Sequence, residues 1–404
     1  MVNRAPCRCI RVSIHFGGSL TSAWGIPMTT LQTEYVEHEL LENHPYAAPL
    51  VVGGVKCHGG FDEDGNYVSP RTRNRVPAIG AWQAHRAEQF DTPLLDIPLD
   101  RWPEHYPNVP QAKFLVSKGV PGPIITTLTR IGTVEGFGSM IRFSTIPDLP
   151  RSFDEDVRGT AMMHLDRGLY EAHARDEAGF EDEGGHEQMW YAARDIAFEN
   201  PVTEDERGRM LERMGISRPG SGGSVDIAKM RADAMARRLL PDDVDFDLEM
   251  LIERMARLLL IEISAFHTFA WAEDVLSDID LFAGDGDAAR LVSYIRSDET
   301  PHVEYLKTVL SEMRDRTFVG DSGKKHAGAD LVARIWDRAV SESLGVRREQ
   351  NLALTIAEVE HALDGNPKKA DVLEEFHHLG TIRPKTDGTW TPADPSAVAE
   401  PTSY

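Results

Sequence analysis

The sequence predicts an all-α protein organised around a bundle of four long helices. From about residue 120 to about residue 378 the apolar residues recur at the three-and-four spacing of amphipathic helices. Four of the segments marked in this way are long, and they fall into two pairs, each joined by a modest loop, with a longer crossover between the pairs. No period of about 20 to 50 residues points to a stacked array instead.

Taken in chain order, residues 1–27 hold Arg4, Arg8 and Arg11 but no acid and lack the apolar core of a secretory signal; they are expected to be a non-native or disordered extension ahead of a natural start at Met28. Residues 28–119 are rich in Pro, Gly and aromatic side chains and are expected to be irregular, with one hairpin whose turn is Asp64-Gly65. Asp62 and Asp64 suggest a calcium loop, but Gly65 comes two places early and the closing acid is absent. Residues 120–320 carry the bundle. Its first helix is expected in PIITTLTRIGTVEGFGSMIRFST, its second from Asp154 to Asn200, its third from Phe246 to Leu276 and its fourth from Ala288 to Arg316. The stretch SRPGSGGS between the second and third reads as a flexible linker. Shorter helices are expected over 321–379 and a disordered tail over 380–404.

Composition excludes several classes. The 404 residues include 43 Lys and Arg against 65 Asp and Glu, a net charge of −22, which disfavours nucleic acid and anionic membrane as partners. Three cysteines, Cys7, Cys9 and Cys57, make neither a disulfide framework nor a four-cysteine zinc site, and the expected location is the cytoplasm. No uncharged apolar run of about 18 residues occurs, so no membrane span is expected. Zinc-protease and nucleophile-elbow patterns are absent, because Trp190 stands where a second histidine would follow His186-Glu187, and no Gly-x-Ser-x-Gly occurs.

The chemistry concentrates in two short strings. The second helix contains DEGGH, with Asp182, Glu183 and His186, and the fourth contains DETPH, with Asp298, Glu299 and His302. On a helix, Glu and His three apart lie on one face, so both reach one metal ion. Glu358 with His361, Glu374 with His377 and Glu375 with His378 share the spacing but sit on polar C-terminal segments and read as solvated faces. Glu262 and Glu135 are each the only acid on an almost wholly apolar stretch, and a carboxylate buried alone must be paired, protonated or metal-bound. His173 and His267 are spare nitrogen donors, although a lone histidine on an aromatic-rich helix is more often a hydrogen-bonded core residue. Trp190, Phe266, Phe269 and Trp271 read as bundle core rather than as a pocket wall.

One Glu from each of two helices plus Glu-x-x-His from each of the other two resembles the ligand set of the ferritin-like non-haem di-iron carboxylate oxidases and oxygenases. Over about residues 120–316, the resemblance implies a ferritin-like four-helix bundle with Glu135, Glu183, His186, Glu262, Glu299 and His302 as metal ligands. It also implies that Asp182 orients His302 and Asp298 orients His186. It extends to no part of residues 28–119. The spacing fits one pair of helices better than the other: Glu262 to Glu299 is 299 − 262 = 37 residues, but Glu135 to Glu183 is 183 − 135 = 48. Glu171 and Glu155 are the reserve ligands, Glu171 lying about 18 Å of helix before Glu183.

Pro301 falls within DETPH and has two readings. It either kinks a continuous ligand helix, removing the partner of the Ser297 carbonyl, or begins a new helix capped by Thr300.

Four Glu and two His, with one nitrogen per metal, suit iron or manganese better than zinc. The resemblance therefore implies two iron ions, or a manganese–iron pair, with O2 as co-substrate, a small organic substrate and an external electron donor. It allows a homodimer. Its reactions include C–H hydroxylation, desaturation and nitrogen oxidation, and nitrogen oxidation in secondary metabolism is the narrower expectation. The alternative is a non-catalytic ferritin-like iron-binding or scaffold protein.

Overall fold

Backbone hydrogen bonds along the apolar segments give a mostly helical chain with a few short strands. The computed structural model describes residues 31–97, 102–198, 202–203, 208, 227–384 and 390–392. The expected extension over 1–27, the SRPGSGGS linker and most of the expected tail lie outside these residues.

The helices are α1 (Glu37–Leu40), α2 (Arg75–Ala87), α3 (Val109–Ser117), α4 (Gly122–Gly138), α5 (Leu149–Ser152), α6 (Tyr170–Ala178), α7 (His186–Ala197), α8 (Ile227–Met235), α9 (Phe246–Leu276), α10 (Asp287–Arg314), α11 (Gly328–Ser341), α12 (Arg347–Ala362) and α13 (Lys369–Leu379). Strands β1 (Ala48–Val52), β2 (Val55–Phe61) and β3 (Tyr67–Val68) form one antiparallel sheet in sequence order. Asp64-Gly65 lies in the β2–β3 turn, as the sequence predicts, with Gly65 at φ +78°. Asp62 is capped there by the backbone N–H groups of Asp64 and Asn66.

Helix α9 packs along α10, α4 against α7 and α6, and α7 against α10. The buried faces follow from spacing. On α9 they include Leu248, Leu251, Ile252, Met255, Leu259 and Glu262, and on α10 Val292, Ile295, Glu299, His302, Leu306 and Val309. Each set repeats at three and four residues, so an acid or imidazole on that stripe is carried inward with the aliphatic residues. In α4, Thr127, Thr129 and Thr133 satisfy their hydroxyls on carbonyls four residues back, at 2.9, 2.7 and 2.8 Å, which lets a threonine-rich helix bury one side. Trp190, Phe269 and Trp271 are core residues, while Phe266 is half-buried under Arg296.

Two expectations are corrected. The segment from Asp154 to Asn200 is not one helix: a 3-10 turn over Ala161–His164 and a π turn over Leu165–Leu169 lead into α6, and a loop over 179–185 separates α6 from α7. Asn200 itself lies outside the described residues. The cause is in DEAGFEDEGGH, where Gly179 ends α6 at φ +82° and Gly185 caps α7. Residues 31–97 and 102–119 also hold more regular structure than expected, since α2 and α3 join the sheet. Helix α10 runs unbroken through Pro301, so the reading in which Thr300 starts a new helix does not hold.

The loop over 179–185 is sterically tight. A Cβ at Gly179 would run into the Glu183 carbonyl, whereas one at Gly65 would meet nothing. Gly179→Ala is therefore expected to cost about 2 kcal/mol or more in stability, and Gly65→Ala only the left-handed backbone penalty of about 1 kcal/mol, as read by chemical denaturation.

Candidate metal centre

Four acids and three imidazoles meet where α4, α6, α7, α9 and α10 come together. Glu135, Glu177, His186 and Glu299 form one group and His173, Glu177, Glu262 and His302 a second; within each, one candidate ligand atom per residue lies within 4.8 Å of all the others. All seven residues are buried, the most accessible side chain being Glu135 at 8 %. The face of α6 explains two of them, because Tyr170, His173, Ala174 and Glu177 fall on one stripe.

The second carboxylate in this pair of helices is Glu177, not Glu183. Glu183 sits in the loop, paired with Lys56 at 3.4 Å, and Asp182 is exposed beside the same lysine at 3.1 Å. Between Tyr170 and His186 the sequence holds two Asp-Glu pairs, and the loop over 179–185 brings the earlier one, Asp176-Glu177, level with His186. The spacing problem disappears with it, since 177 − 135 = 42 residues replaces 48. Glu135 stays in place, and neither reserve is needed. Glu171 pairs with Arg175 at 2.7 Å and Arg142 at 3.4 Å, and Glu155 accepts the Thr317 backbone N–H. His173, expected as a core residue, joins the second group, whereas His267 does not. That group accordingly offers two nitrogens, against the one per metal expected.

The ring nitrogens have divided roles. His186 Nδ1 faces Glu299 at 3.0 Å, Glu177 at 3.4 Å and Glu135 at 3.5 Å, while its Nε2 faces Asp298 at 3.5 Å. His302 Nδ1 faces Glu299 at 2.8 Å and Glu177 at 3.3 Å, while its Nε2 meets Asp176 at 2.9 Å. His173 turns Nε2 to Glu262 at 3.4 Å and Glu177 at 3.6 Å and Nδ1 to the Tyr305 hydroxyl at 3.0 Å. Each imidazole thus has one nitrogen on the acid cluster and the other on an outer partner, which fixes ring orientation. Asp298 lies beside His186 Nε2, the position the resemblance implies for it. Asp176 takes the place expected for Asp182 beside His302.

The outer partners are anchored by the N-terminal region. Asp176 is held by Arg71 and by Arg75 at 2.7 Å, and Asp298 accepts from the Tyr67 hydroxyl at 2.8 Å and from His58 Nε2 at 3.2 Å. His58 Nδ1 lies 3.3 Å from Arg71 Nη2, so the ring accepts from arginine on one side and donates to Asp298 on the other. His58, His186 and Asp298 form a third close group. Because Arg71 occupies the far side of His58, this group is a hydrogen-bonded brace for His186.

Charge balance is severe. Burial and the neighbouring Glu177 push the Glu135 carboxyl well above the usual range, and burial with Glu299 does the same to Glu262. Burial disfavours charged imidazoles at His186 and His302, but the Glu299 carboxylate outweighs it and holds both well above an ordinary histidine. Burial, together with the His302 charge, pushes His173 down to about 3. Burial opposes ionisation of Asp298, yet His186 and His58 hold it down at about 2.

The residues fit a metal pair. Several buried atoms facing the cluster, including His173 Nε2, His186 Nδ1, Glu177 Oε1 and Glu299 Oε1, have no hydrogen-bond partner, a costly condition that coordination relieves. Four carboxylates also match the charge of two divalent cations. Among the described residues, no helix is long and apolar enough to cross a membrane. No protein-family profile matches the chain, and no curated protein or solved structure shows detectable similarity to it.

Glu177→Ala is expected to abolish most metal uptake while Glu183→Ala leaves it near the parent level, by metal analysis after desalting. Asp176→Asn should weaken metal affinity about 10- to 100-fold through His302. Since burial and neighbouring carboxylates raise the proton affinity of Glu135 and Glu262, and Glu299 outweighs burial to raise that of His186 and His302, protons compete with metal at these groups; loading should release protons into weakly buffered solution, and metal affinity should fall as pH is lowered.

Proposed function

We propose that the protein is an O2-dependent non-haem di-iron oxidase or oxygenase acting on a small organic molecule, with a ferritin-like bundle as its framework. The observation that carries this reading is the pair of ligand groups sharing Glu177, buried and next to a cavity of about 640 Å³ whose wall includes Glu135. One group would be held by Glu135, Glu177, His186 and Glu299 and the other by His173, Glu177, Glu262 and His302. Oxygen-rich ligation with one or two nitrogens suits iron or manganese. When bound, a pair of such ions supplies reduction of O2 and oxidation of the substrate, with electrons from an external donor.

The chain's own residues would do the rest. Glu177 and Glu299 each divide their two oxygens between the His186 and His302 sides, so they tie the two halves of the site together. Asp176, Asp298 and Tyr305 fix the imidazole rings. The aliphatic residues of α9 and α10 keep bulk water from the site. The cavity meets the centre at Glu135, the most accessible of the seven, so substrate would approach from the α4 side.

The test is anaerobic loading with Fe(II), followed by O2 consumption in the presence of a reductant and a panel of arylamines and other small aromatic compounds. About two irons per chain and substrate-dependent O2 uptake are expected, with nitrogen-hydroxylated products on mass spectrometry for the narrower assignment. Bound iron without substrate-dependent uptake would indicate an iron-binding protein without turnover. Failure to retain metal would leave the acids as structural groups and overturn the proposal.

A further inference from the structure

The cavity beside Glu135 is lined by residues of three helices, α4, α9 and α12, and of the loop before α3. On α4 the wall includes Arg130, Ile131, Val134 and Glu135, that is, a cation, an apolar patch and a candidate metal ligand. Phe269 on α9 and Leu352 on α12 extend the apolar part. Arg347 and Arg348 on α12 bring two more cations.

This concentration of positive charge stands out in a chain of net charge −22. Arg130 reaches Glu358 only at 4.0 Å, the outer limit of an ion pair. Arg347 and Arg348 are exposed and make no ion pair among the described residues, where most arginines are matched to a carboxylate. The carboxylates in the wall are Glu104, exposed on the loop before α3, and Glu135 at the metal end. His267, also in the wall, has a buried Nε2 without a hydrogen-bond partner.

We propose that this cavity is a substrate pocket for molecules with an apolar or aromatic body and a terminal carboxylate, bound with the carboxylate among Arg130, Arg347 and Arg348 and the body pointing towards Glu135. The inference rests on the oxygenase reading for what happens at the far end. Arginine suits the role because its planar fork pairs with both oxygens of a carboxylate. Helical rise gives the scale: Arg130 and Glu135 are five residues apart on α4, about 7.5 Å along the axis at about 1.5 Å per residue. That separation along the wall leaves room for an apolar body between the arginine end and the Glu135 end. His267 Nε2 is positioned in the wall to take a further polar contact from the body of the ligand.

Isothermal titration of the anaerobic Fe(II)-loaded protein with ω-phenylalkanoates, from phenylacetate to 6-phenylhexanoate, and with the matching primary amides tests this directly. The carboxylates are expected to bind at least about tenfold more tightly than their amides, and an Arg347→Gln, Arg348→Gln double variant to lose most of that preference while retaining iron as the parent does. Equal binding of acids and amides, no binding of any acid, or a preference unchanged in the double variant would overturn the inference. Iron content of the same samples separates the two claims. Iron bound without a carboxylate preference sinks only the pocket assignment, whereas a preference without iron supports the anion pocket and sinks the oxygenase reading.

Discussion

Seven ionisable side chains packed into a nearly water-free space are the constraint on which the rest of the structure depends. A buried carboxylate or imidazolium is tolerated only when its charge is met at short range. Here Glu135, Glu177, Glu262 and Glu299 meet His173, His186 and His302 inside a shell of aliphatic side chains. No single helix can supply such a set, so five helices must converge, and the loops that join them are shaped by that requirement. The tight turn over 179–185 is the clearest case, because it brings Glu177 and His186 together across nine positions of sequence.

The outer layer is as much part of the site as the candidate ligands. Asp176 lies between His302 and two buried arginines, and Asp298 between His186, His58 and Tyr67. These partners come from β2, β3, the segment leading into α2 and the first residue of α2, so the N-terminal region acts as a clamp on the bundle. Both aspartates keep their negative charge against burial because cations or donors face them on more than one side. That arrangement holds ring orientation, and it gives residues 58–75 a structural role where composition alone suggested irregularity.

How much of this was legible in the sequence depended on range. Glu135, Glu262, Glu299, His186 and His302 could be picked out because a lone acid or an acid–imidazole pair on an apolar stripe is a local signal. Glu183 and Asp182 stand out because DEGGH has ideal helical spacing, a rule that assumes the helix continues, while Glu177 and Asp176 have no histidine three places on to mark them. Gly179 and Gly184-Gly185 were the warning that it does not. His173 was legible in position, one turn before Glu177, but carried no signal beyond that of a core histidine. The clamp by His58, Tyr67, Arg71 and Arg75 could not be read at all, since it joins residues more than 100 positions apart. The all-α character followed from periodicity, whereas the break in the second long segment turned on glycine conformations that periodicity does not report.

The most direct test of the account is a crystal of the protein soaked with Mn(II) or grown with Fe(II) under anaerobic conditions, with anomalous scattering used to locate the metal. The account predicts two peaks, one among Glu135, Glu177, His186 and Glu299 and the other among His173, Glu177, Glu262 and His302, with Glu177 reaching both. A single peak at His58, His186 and Asp298, a peak beside Asp182 and Glu183, or none within the bundle would contradict it.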